Sequence, residues 1–163
     1  MKTWMWIANI VGWPSIQLGF AWFTFHQSVE RYEKDSWVTR ERAWENSGEI
    51  YRRVFRVDRW RRLLPNGAAW MRVPQERQLK VSGRSDCFRF VAETRRSEQA
   101  HWCMLLCTPL FFVWNPLWAC FVMATYGIGA NVPCIIAQRS NRLRAQRAMM
   151  RERTIHREGS ALR

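Results

Sequence analysis

The chain has 163 residues and a mass of 19.6 kDa, enough for one modest domain. Lysine and arginine number 26 against 13 acidic residues, so the formal charge is +13, and 48% of the residues are hydrophobic, too many for a disordered basic tail. Charged and apolar residues fall in separate blocks, which excludes an evenly mixed globular surface. The sequence therefore predicts a mainly α-helical, small integral membrane protein with basic segments that face water.

The first apolar block runs from Thr3 to Val29 and has no charged residue over 27 positions. As a helix it would be roughly 40 Å long, more than the roughly 30 Å of a bilayer core. Tryptophan and phenylalanine crowd its two ends, as they do at membrane surfaces. A cleaved signal peptide is the alternative because Lys2 precedes the block, but no clear small-x-small cleavage site follows it. We therefore predict a retained N-terminal transmembrane anchor, residues 1–29.

The second apolar block covers residues 102–138, and its 37 positions without a charge are too many for one ordinary span. Asn115-Pro116 lies within it and favours a turn. The pattern predicts two helical arms, residues 100–114 and 117–137, which form a membrane hairpin over residues 100–138. A pair of core helices in a soluble bundle is the alternative.

The arginines predict the orientation of these spans. Residues 30–101 carry 17 basic against 11 acidic residues, and the tail, residues 139–163, carries eight arginines against two acids. Positive residues stay on the cytoplasmic side of membranes. We expect a multi-pass protein of the cell membrane whose basic-aromatic segment, residues 30–99, and basic tail are both cytoplasmic, with the amino terminus outside.

Residues 50–64 of the water-facing part have apolar side chains at helical spacing and arginines over most of the remainder. The apolar positions are Ile50, Val54, Val57, Trp60 and Leu64. A basic helix with aromatic residues suits an anionic lipid surface. A solvated helix packed on the rest of the chain is one alternative and nucleic-acid binding another, but flanking membrane blocks argue against a nucleic-acid partner. Pro65-Asn66-Gly67 predicts a turn that ends this helix, and we expect the next helix to start near Val91.

The cysteines give no indication of a metal site, since they lack the paired spacing that metal ligands show. Four of the five lie in the apolar blocks, where they behave as small hydrophobic residues. We predict neither a metal nor another cofactor. The cysteines are Cys87, Cys103, Cys107, Cys120 and Cys134.

A polar group precedes the second apolar block. Glu98 and His101 are three residues apart and so share a helical face, with Glu93 further back and Trp102 at the interface. A carboxylate beside an imidazole can orient the ring and raise its basicity, as removal of a proton from a hydroxyl nucleophile requires. Ordinary interfacial polarity, with Glu98 paired to an arginine such as Arg95, is the alternative.

A second polar group closes the last apolar arm. Asn131 lies within a hydrophobic run and must find a partner, because an unpaired amide in hydrocarbon is costly. The side chains that emerge after it could clamp a phosphate or a carboxylate, although the arginines could serve as a positive-inside signal alone. They are Gln138, Arg139, Asn141, Arg142 and Arg144.

These two polar groups, in this order, resemble the glycosyl-4,4'-diaponeurosporenoate acyltransferase family of bacterial carotenoid biosynthesis. The resemblance covers roughly residues 45–151 and includes the basic-aromatic stretch Phe55–Gly67. The matching residues of the two groups are Glu93-Thr94-Arg95, Glu98, His101 and Trp102, then Ala130-Asn131-Val132-Pro133, Gln138-Arg139, Asn141-Arg142 and Arg144.

The resemblance implies transfer of a fatty acyl group to the primary hydroxyl of a sugar on a glycosylated carotenoid. On this hypothesis His101 is the general base, and Glu98, or Glu93, is its acidic partner. Asn131 or a nearby backbone donor would stabilise the oxyanion. Arg139, Arg142 and Arg144 would hold the phosphate of the donor's carrier. The expected partners are membrane lipids, a lipidic glycosylated acceptor, a fatty acyl donor and other enzymes of the carotenoid pathway.

A non-catalytic membrane adaptor, which binds anionic lipid or a partner enzyme through its basic segments, is the alternative function. An adaptor would need neither Glu98 and His101 on one face nor an amide in the last span. The two polar groups therefore favour the enzyme.

Overall fold

The computed structural model describes residues 2–64 and 84–161, and these ranges are helical, without a strand. The mainly α prediction is confirmed for this part of the chain. Its α-helices are α1 (Thr3–Phe25), α2 (Glu49–Arg53), α3 (Val57–Trp60), α4 (Arg84–Leu106) and α5 (Leu117–Ala161). Short 3-10 helices cover Val29–Tyr32, Ala43–Gly48, Arg61–Leu63 and Thr108–Val113.

Helices α4 and α5 lie antiparallel and form the centre of the molecule. His101 of α4 contacts Asn131 of α5, and Ser97, one turn earlier on α4, contacts Gln138, two turns later on α5. As the residue number falls from 101 to 97 on α4, that of the contacted residue rises from 131 to 138 on α5, so the two helices are antiparallel. The two polar groups of the sequence therefore lie against each other.

The connection between these helices differs in part from the predicted hairpin. The second arm begins at Leu117, directly after Asn115-Pro116, as predicted. The first arm is not one helix, because α4 ends at Leu106 and a 3-10 helix, Thr108–Val113, follows it. Pro109, at the start of that 3-10 helix, lacks the backbone N–H that would continue an α-helix.

Helix α1 lies antiparallel to α4, and contacts near both of its ends establish this. Near its C-terminus, the guanidinium of Arg96 lies 4.8 Å from the centre of the Phe25 ring. Near its N-terminus, Asn9 and Asn115 donate to each other's side-chain oxygens, both at 2.8 Å. This reciprocal pair satisfies a buried amide within the charge-free helix, as an apolar environment demands.

Close packing between α1 and the hairpin centres on Trp13. Its ring stacks on Phe111 at 4.9 Å and lies 5.1 Å from the ring of Tyr126. Gly127 makes this approach possible, because a side chain there would meet the Trp13 ring at 3.0 Å and the Thr108 side chain more closely still. The glycine therefore allows α1, the 3-10 connection and α5 to meet.

The segment of residues 36–64, called the cap below, packs on α5. Tyr51 and Val57 of the cap form a buried cluster with Ala137 and Leu143. Gly48 has φ +86°, a left-handed conformation that suits glycine, and Leu143 Cβ would lie 3.0 Å from a Cβ at this position. Partly buried side chains extend the cluster: Ile50, Trp60, Leu64 and Ile136.

The predicted continuous helix over residues 50–64 is broken. Helix α2 ends at Arg53, Arg56 has a positive φ of 47°, and α3 begins at Val57. Val54, which the helical spacing assigned to the apolar face, is 67% exposed. The break has a physical reason: it allows Tyr51 and Val57 to pack on the same side of α5.

The predicted start of the next helix is also wrong, because α4 is helical from Arg84 rather than from near Val91. The charged residues between them do not interrupt the helix. The predicted turn at Pro65-Asn66-Gly67 lies outside the described residues.

Apolar side chains cover the surface of the charge-free half of the molecule. One helix among the described residues, Leu117–Thr154, is long and apolar enough to cross a membrane. Helix α1 has a suitable length of 23 residues but does not reach the same hydropathy. Exposed large hydrophobic residues nevertheless occur on α1, at the end of α4, on the hairpin connection and on α5. They include Trp4, Trp6, Ile7, Ile10, Val11, Leu18, Trp22, Phe23, Leu106, Leu110, Phe112, Val113, Leu117, Trp118, Phe121, Val122 and Ile128.

Candidate active site

His101 and Asn131 face each other between α4 and α5. The Nδ1 atom of His101 lies 3.1 Å from Oδ1 of Asn131. The Asn131 amide nitrogen donates to the carbonyl oxygen of Gly127, one turn back on α5, at 2.9 Å. Asn131 is buried, so both ends of its amide have a protein partner.

This arrangement determines which imidazole nitrogen carries the proton in the neutral ring. The hydrogen bond to Gly127 orients the Asn131 amide so that its oxygen faces the ring. An amide oxygen only accepts, so His101 Nδ1 must donate to it. The other nitrogen, Nε2, then holds the free lone pair. Nε2 forms no hydrogen bond with another described residue, and the side chain is partly exposed. The site therefore presents a nitrogen lone pair that can accept a proton.

Among the described residues, Glu98 forms no hydrogen bond with the imidazole. Its buried carboxylate pairs with Arg142, whose Nη1 donates to Oε2. Arg142 also donates from Nη2 to the carbonyl oxygen of Thr39 at 2.7 Å. Arg142 is itself buried, so the pair joins α4, α5 and the cap in a water-excluded region.

A second buried carboxylate completes this charge network. Arg139 Nε lies 3.1 Å from Oε1 of Glu45 and 3.4 Å from Oε1 of Glu98, so one guanidinium bridges both acids. The Tyr51 hydroxyl donates to Oε1 of Glu45. Burial and this hydrogen bond to a carboxylate raise the pKa of Tyr51 above its ordinary value. Two carboxylates and two guanidinium groups, including that of Arg142, give the network no net charge.

Trp102 and Gln138 lie beside this network. Trp102 Nε1 donates to Oε1 of Glu98 at 3.4 Å. Gln138 Nε2 donates to Oγ of Ser97 at 3.1 Å. The side-chain oxygen Oε1 of Gln138 is buried and has no hydrogen-bond partner among the described residues. Both residues therefore line the contact between α4 and α5.

Glu93 lies apart from His101, near the C-terminal end of α1. It pairs with Arg96 at 2.5 Å, and Arg96 donates to the carbonyl oxygen of Phe25 at 3.4 Å. Burial raises the pKa of Glu93, while Arg96 and Arg89 act in the opposite direction. The structure therefore associates this carboxylate with the α1–α4 junction.

The last two predicted binding residues face the cap. Asn141 accepts a hydrogen bond from Arg61 at 3.1 Å. Arg144 lies 3.5 Å from Asp58 and its side chain is 50% exposed. Of the predicted residues, the structure thus brings His101 to Asn131 and brings Glu98 to Trp102, Arg139 and Arg142, whereas Asn141 and Arg144 lie elsewhere.

Sequence reasoning missed the cap side of the charge network. Glu45, Tyr51 and Thr39 are buried there, far along the chain from the helices they contact. No local pattern marks them. The available signal was indirect: Arg139 and Arg142 directly follow a charge-free run, and an arginine buried there requires partners.

Two surface grooves of the described residues lie away from the imidazole. One shallow groove follows α1 and is lined by residues from Ser15 to Phe23, and another lies at the hairpin turn beside Trp114 and Trp118. Both lie on the apolar half of the molecule.

Known proteins match this chain over most of its length. The family model for glycosyl-4,4'-diaponeurosporenoate acyltransferase matches residues 34–151. A protein of that name from Staphylococcus haemolyticus (strain JCSC1435) is 27% identical over 156 residues, which cover 92% of this chain and 91% of the relative. Two of the same name from Staphylococcus aureus, strains bovine RF122 / ET3-1 and MRSA252, are each 26% identical over 133 residues, which cover 81% of this chain and 80% of each relative. No solved structure matches it.

The chain that carries this helical pair is thus an acyltransferase by its similarity to these proteins. The chain belongs to the glycosyl-4,4'-diaponeurosporenoate acyltransferase family, as its resemblance predicted. The match begins after α1 and includes the cap, α4 and the site residues of α5.

Proposed function

We propose that this protein esterifies the primary sugar hydroxyl of a glycosylated carotenoid with a fatty acyl group. Family membership supports the reaction class, and the names of the relatives support a glycosyl-diaponeurosporenoate as acceptor. The observation that carries the chemistry is His101, whose Nδ1 is held by Asn131 and whose Nε2 is left for a substrate proton.

We also propose that the reaction takes place at the cytoplasmic face of the cell membrane, with α1 and the hairpin of residues 100–138 in the bilayer. The charge-free part of α5, residues 117–138, is about 33 Å long, and α1 is about 35 Å long, both sufficient for a bilayer core. Their exposed apolar side chains would contact lipid. The basic residues lie at the opposite end of the hairpin from its turn, which supports a multi-pass topology with a cytoplasmic basic end.

The proposed reaction begins with proton transfer from the sugar hydroxyl to Nε2 of His101 as the oxygen attacks the acyl carbonyl carbon. A new C–O ester bond forms. The tetrahedral intermediate then collapses, and the bond between the acyl carbon and the donor's leaving group breaks. The imidazolium returns its proton to that leaving group, so His101 ends the cycle neutral.

Asn131 acts in this mechanism as a positioning residue. One of its two amide hydrogens goes to the Gly127 carbonyl oxygen, which leaves the other for the proposed oxyanion. Its oxygen fixes the ring orientation and the tautomer of His101, the task a carboxylate performs in many triads. A neutral partner also avoids a buried negative charge beside the substrate.

The buried charge network of Glu98, Arg139 and Arg142 stabilises the contact between α4 and α5 next to the site. Their charges are satisfied by one another, by Glu45 and by backbone carbonyl groups of the cap. Among the three arginines proposed to hold the donor phosphate, Arg144 is the half-exposed one and is the best placed to meet an anionic group from solution. The donor and the acceptor are both lipidic, so both can reach the site from the membrane.

The acceptor hydroxyl provides the direct test of this function. Membranes that contain the protein should convert a glycosyl-diaponeurosporenoate and a fatty acyl thioester into one ester, detected as a single acyl mass increment in the pigment. An acceptor whose sugar lacks the primary hydroxyl, a 6-deoxyglucosyl analogue, is the matched control and should remain unmodified. Equal acylation of the control would exclude the primary hydroxyl, and absence of ester from both would exclude the function.

A further inference from the structure

The cap lies at the boundary between the apolar and the charged halves of the molecule. Its buried residues Tyr51 and Val57 pack on Ala137, and Ile136 packs against the same cluster. Both α5 residues belong to the end of the charge-free stretch, which closes at Gln138. If α5 spans a bilayer, the cap therefore lies at the depth of the lipid headgroups.

The cap presents a dense positive charge at this depth. Six arginines occur in residues 49–64 against two acidic residues, Glu49 and Asp58. Glu49 pairs with two neighbouring arginines of α2, which themselves stay largely exposed to solvent. The exposed arginines of the cap include Arg52, Arg53, Arg56, Arg59 and Arg62.

Apolar side chains are exposed among these arginines. Val54, Phe55 and Leu63 are 67%, 41% and 82% exposed. Trp37 and Trp44, earlier in the cap, are also exposed, and tryptophan favours the headgroup level of a membrane. The broken helix thus presents both guanidinium groups and apolar groups.

From this surface we infer that the cap binds the headgroups of anionic phospholipids in the leaflet around the basic end of the hairpin. Guanidinium groups pair with lipid phosphates, and Phe55, Val54 and Leu63 enter the upper acyl region. The apolar side chains and the depth of the cap favour a lipid surface over an acidic protein as the partner. To bind an acidic protein, the cap would need its positive charge but not exposed aliphatic groups beside a bilayer. This binding site goes beyond acyl transfer and depends on membrane insertion of α5 rather than on the reaction.

A photocrosslinking amino acid at Phe55 tests this inference. The Phe55→p-benzoylphenylalanine protein is placed in nanodiscs with equal amounts of phosphatidylglycerol and phosphatidylcholine, and its lipid adducts are identified by mass spectrometry after irradiation. We expect adducts enriched in phosphatidylglycerol. Replacement of Arg52, Arg53, Arg56 and Arg59 by glutamine should remove that enrichment and lower the total lipid adduct.

Two further crosslinker positions provide the controls. Phe121, exposed on the charge-free part of α5, should give adducts in the bulk lipid ratio in both proteins, and Thr154, exposed on the distal part of α5, should give few. Lipid adducts at Phe121 but none at Phe55 would overturn the inference while membrane insertion stands. Adducts at Phe55 in the bulk lipid ratio would also overturn it. In a further sample an acidic acyl carrier protein is added, and replacement of the lipid adducts at Phe55 by adducts with this protein would overturn it as well. Ester formation by the same arginine variants in detergent is measured separately, so failure of the catalytic proposal is distinguishable.

Discussion

Glu98 and His101 are three residues apart on α4, yet their side chains have different partners. The imidazole contacts the neutral amide of Asn131, whereas the carboxylate is held by Arg142 and Arg139. The spacing correctly indicated a shared helical face, but spacing alone cannot show which groups the facing helix supplies. A carboxylate at this position has two arginines in reach, and a charge-assisted hydrogen bond is stronger than a neutral one.

Removal of the Glu98 charge should destabilise the protein. In Glu98→Gln, the buried guanidinium of Arg142 loses its carboxylate, and an uncompensated buried charge costs about 3–5 kcal/mol. Urea unfolding in detergent micelles would measure the loss in the free energy of unfolding. Glu152→Gln, at an exposed position of α5, is the matched control and should change little. A Glu98→Gln protein as stable as the control would show that the network does not support the fold.

At the level of elements, the charge-free runs predicted α1 and the first half of α5, and Asn115-Pro116 predicted the start of α5. Both signals are local, because each depends only on the residues within the segment concerned. The break at Arg56 and the burial of Glu45 were not predictable, because they depend on α5 as the surface that the cap packs against. Arg139 and Arg142 were predicted to emerge at the interface, and the cap covers them.

Gly127 offers a test of the contact between α1 and the hairpin. In Gly127→Ala, the new methyl group would overlap Thr108 and press on Trp13, and such overpacking costs about 1–3 kcal/mol. Gly129→Ala on the same helix has open space around its Cβ, so it should be neutral or raise the free energy of unfolding by up to about 1 kcal/mol. Unfolding of both variants in detergent would measure the difference. Equal effects would contradict close packing at Gly127.

At the scale of the whole molecule, the chain is divided into an apolar half and a charged half, and His101 lies where they meet. The apolar half suits lipidic substrates. The cap and the charge network fix α4 against α5 on the other side of His101. This arrangement holds the imidazole and Asn131 in contact, and the two polar groups of the sequence lie together although 30 residues separate them.

The measurement that tests the catalytic role most directly is the rate of ester formation by His101→Ala. Loss of a general base should lower kcat by about 10²–10⁴-fold. The buried oxygen of Asn131 also loses its donor, so the free energy of unfolding should fall by about 1–3 kcal/mol, and the rate is therefore measured at a temperature where both proteins are folded. His26→Ala, which removes an exposed histidine after α1, should keep the native rate. A His101→Ala protein that forms ester as fast as the native protein would contradict the assignment of His101 as the base.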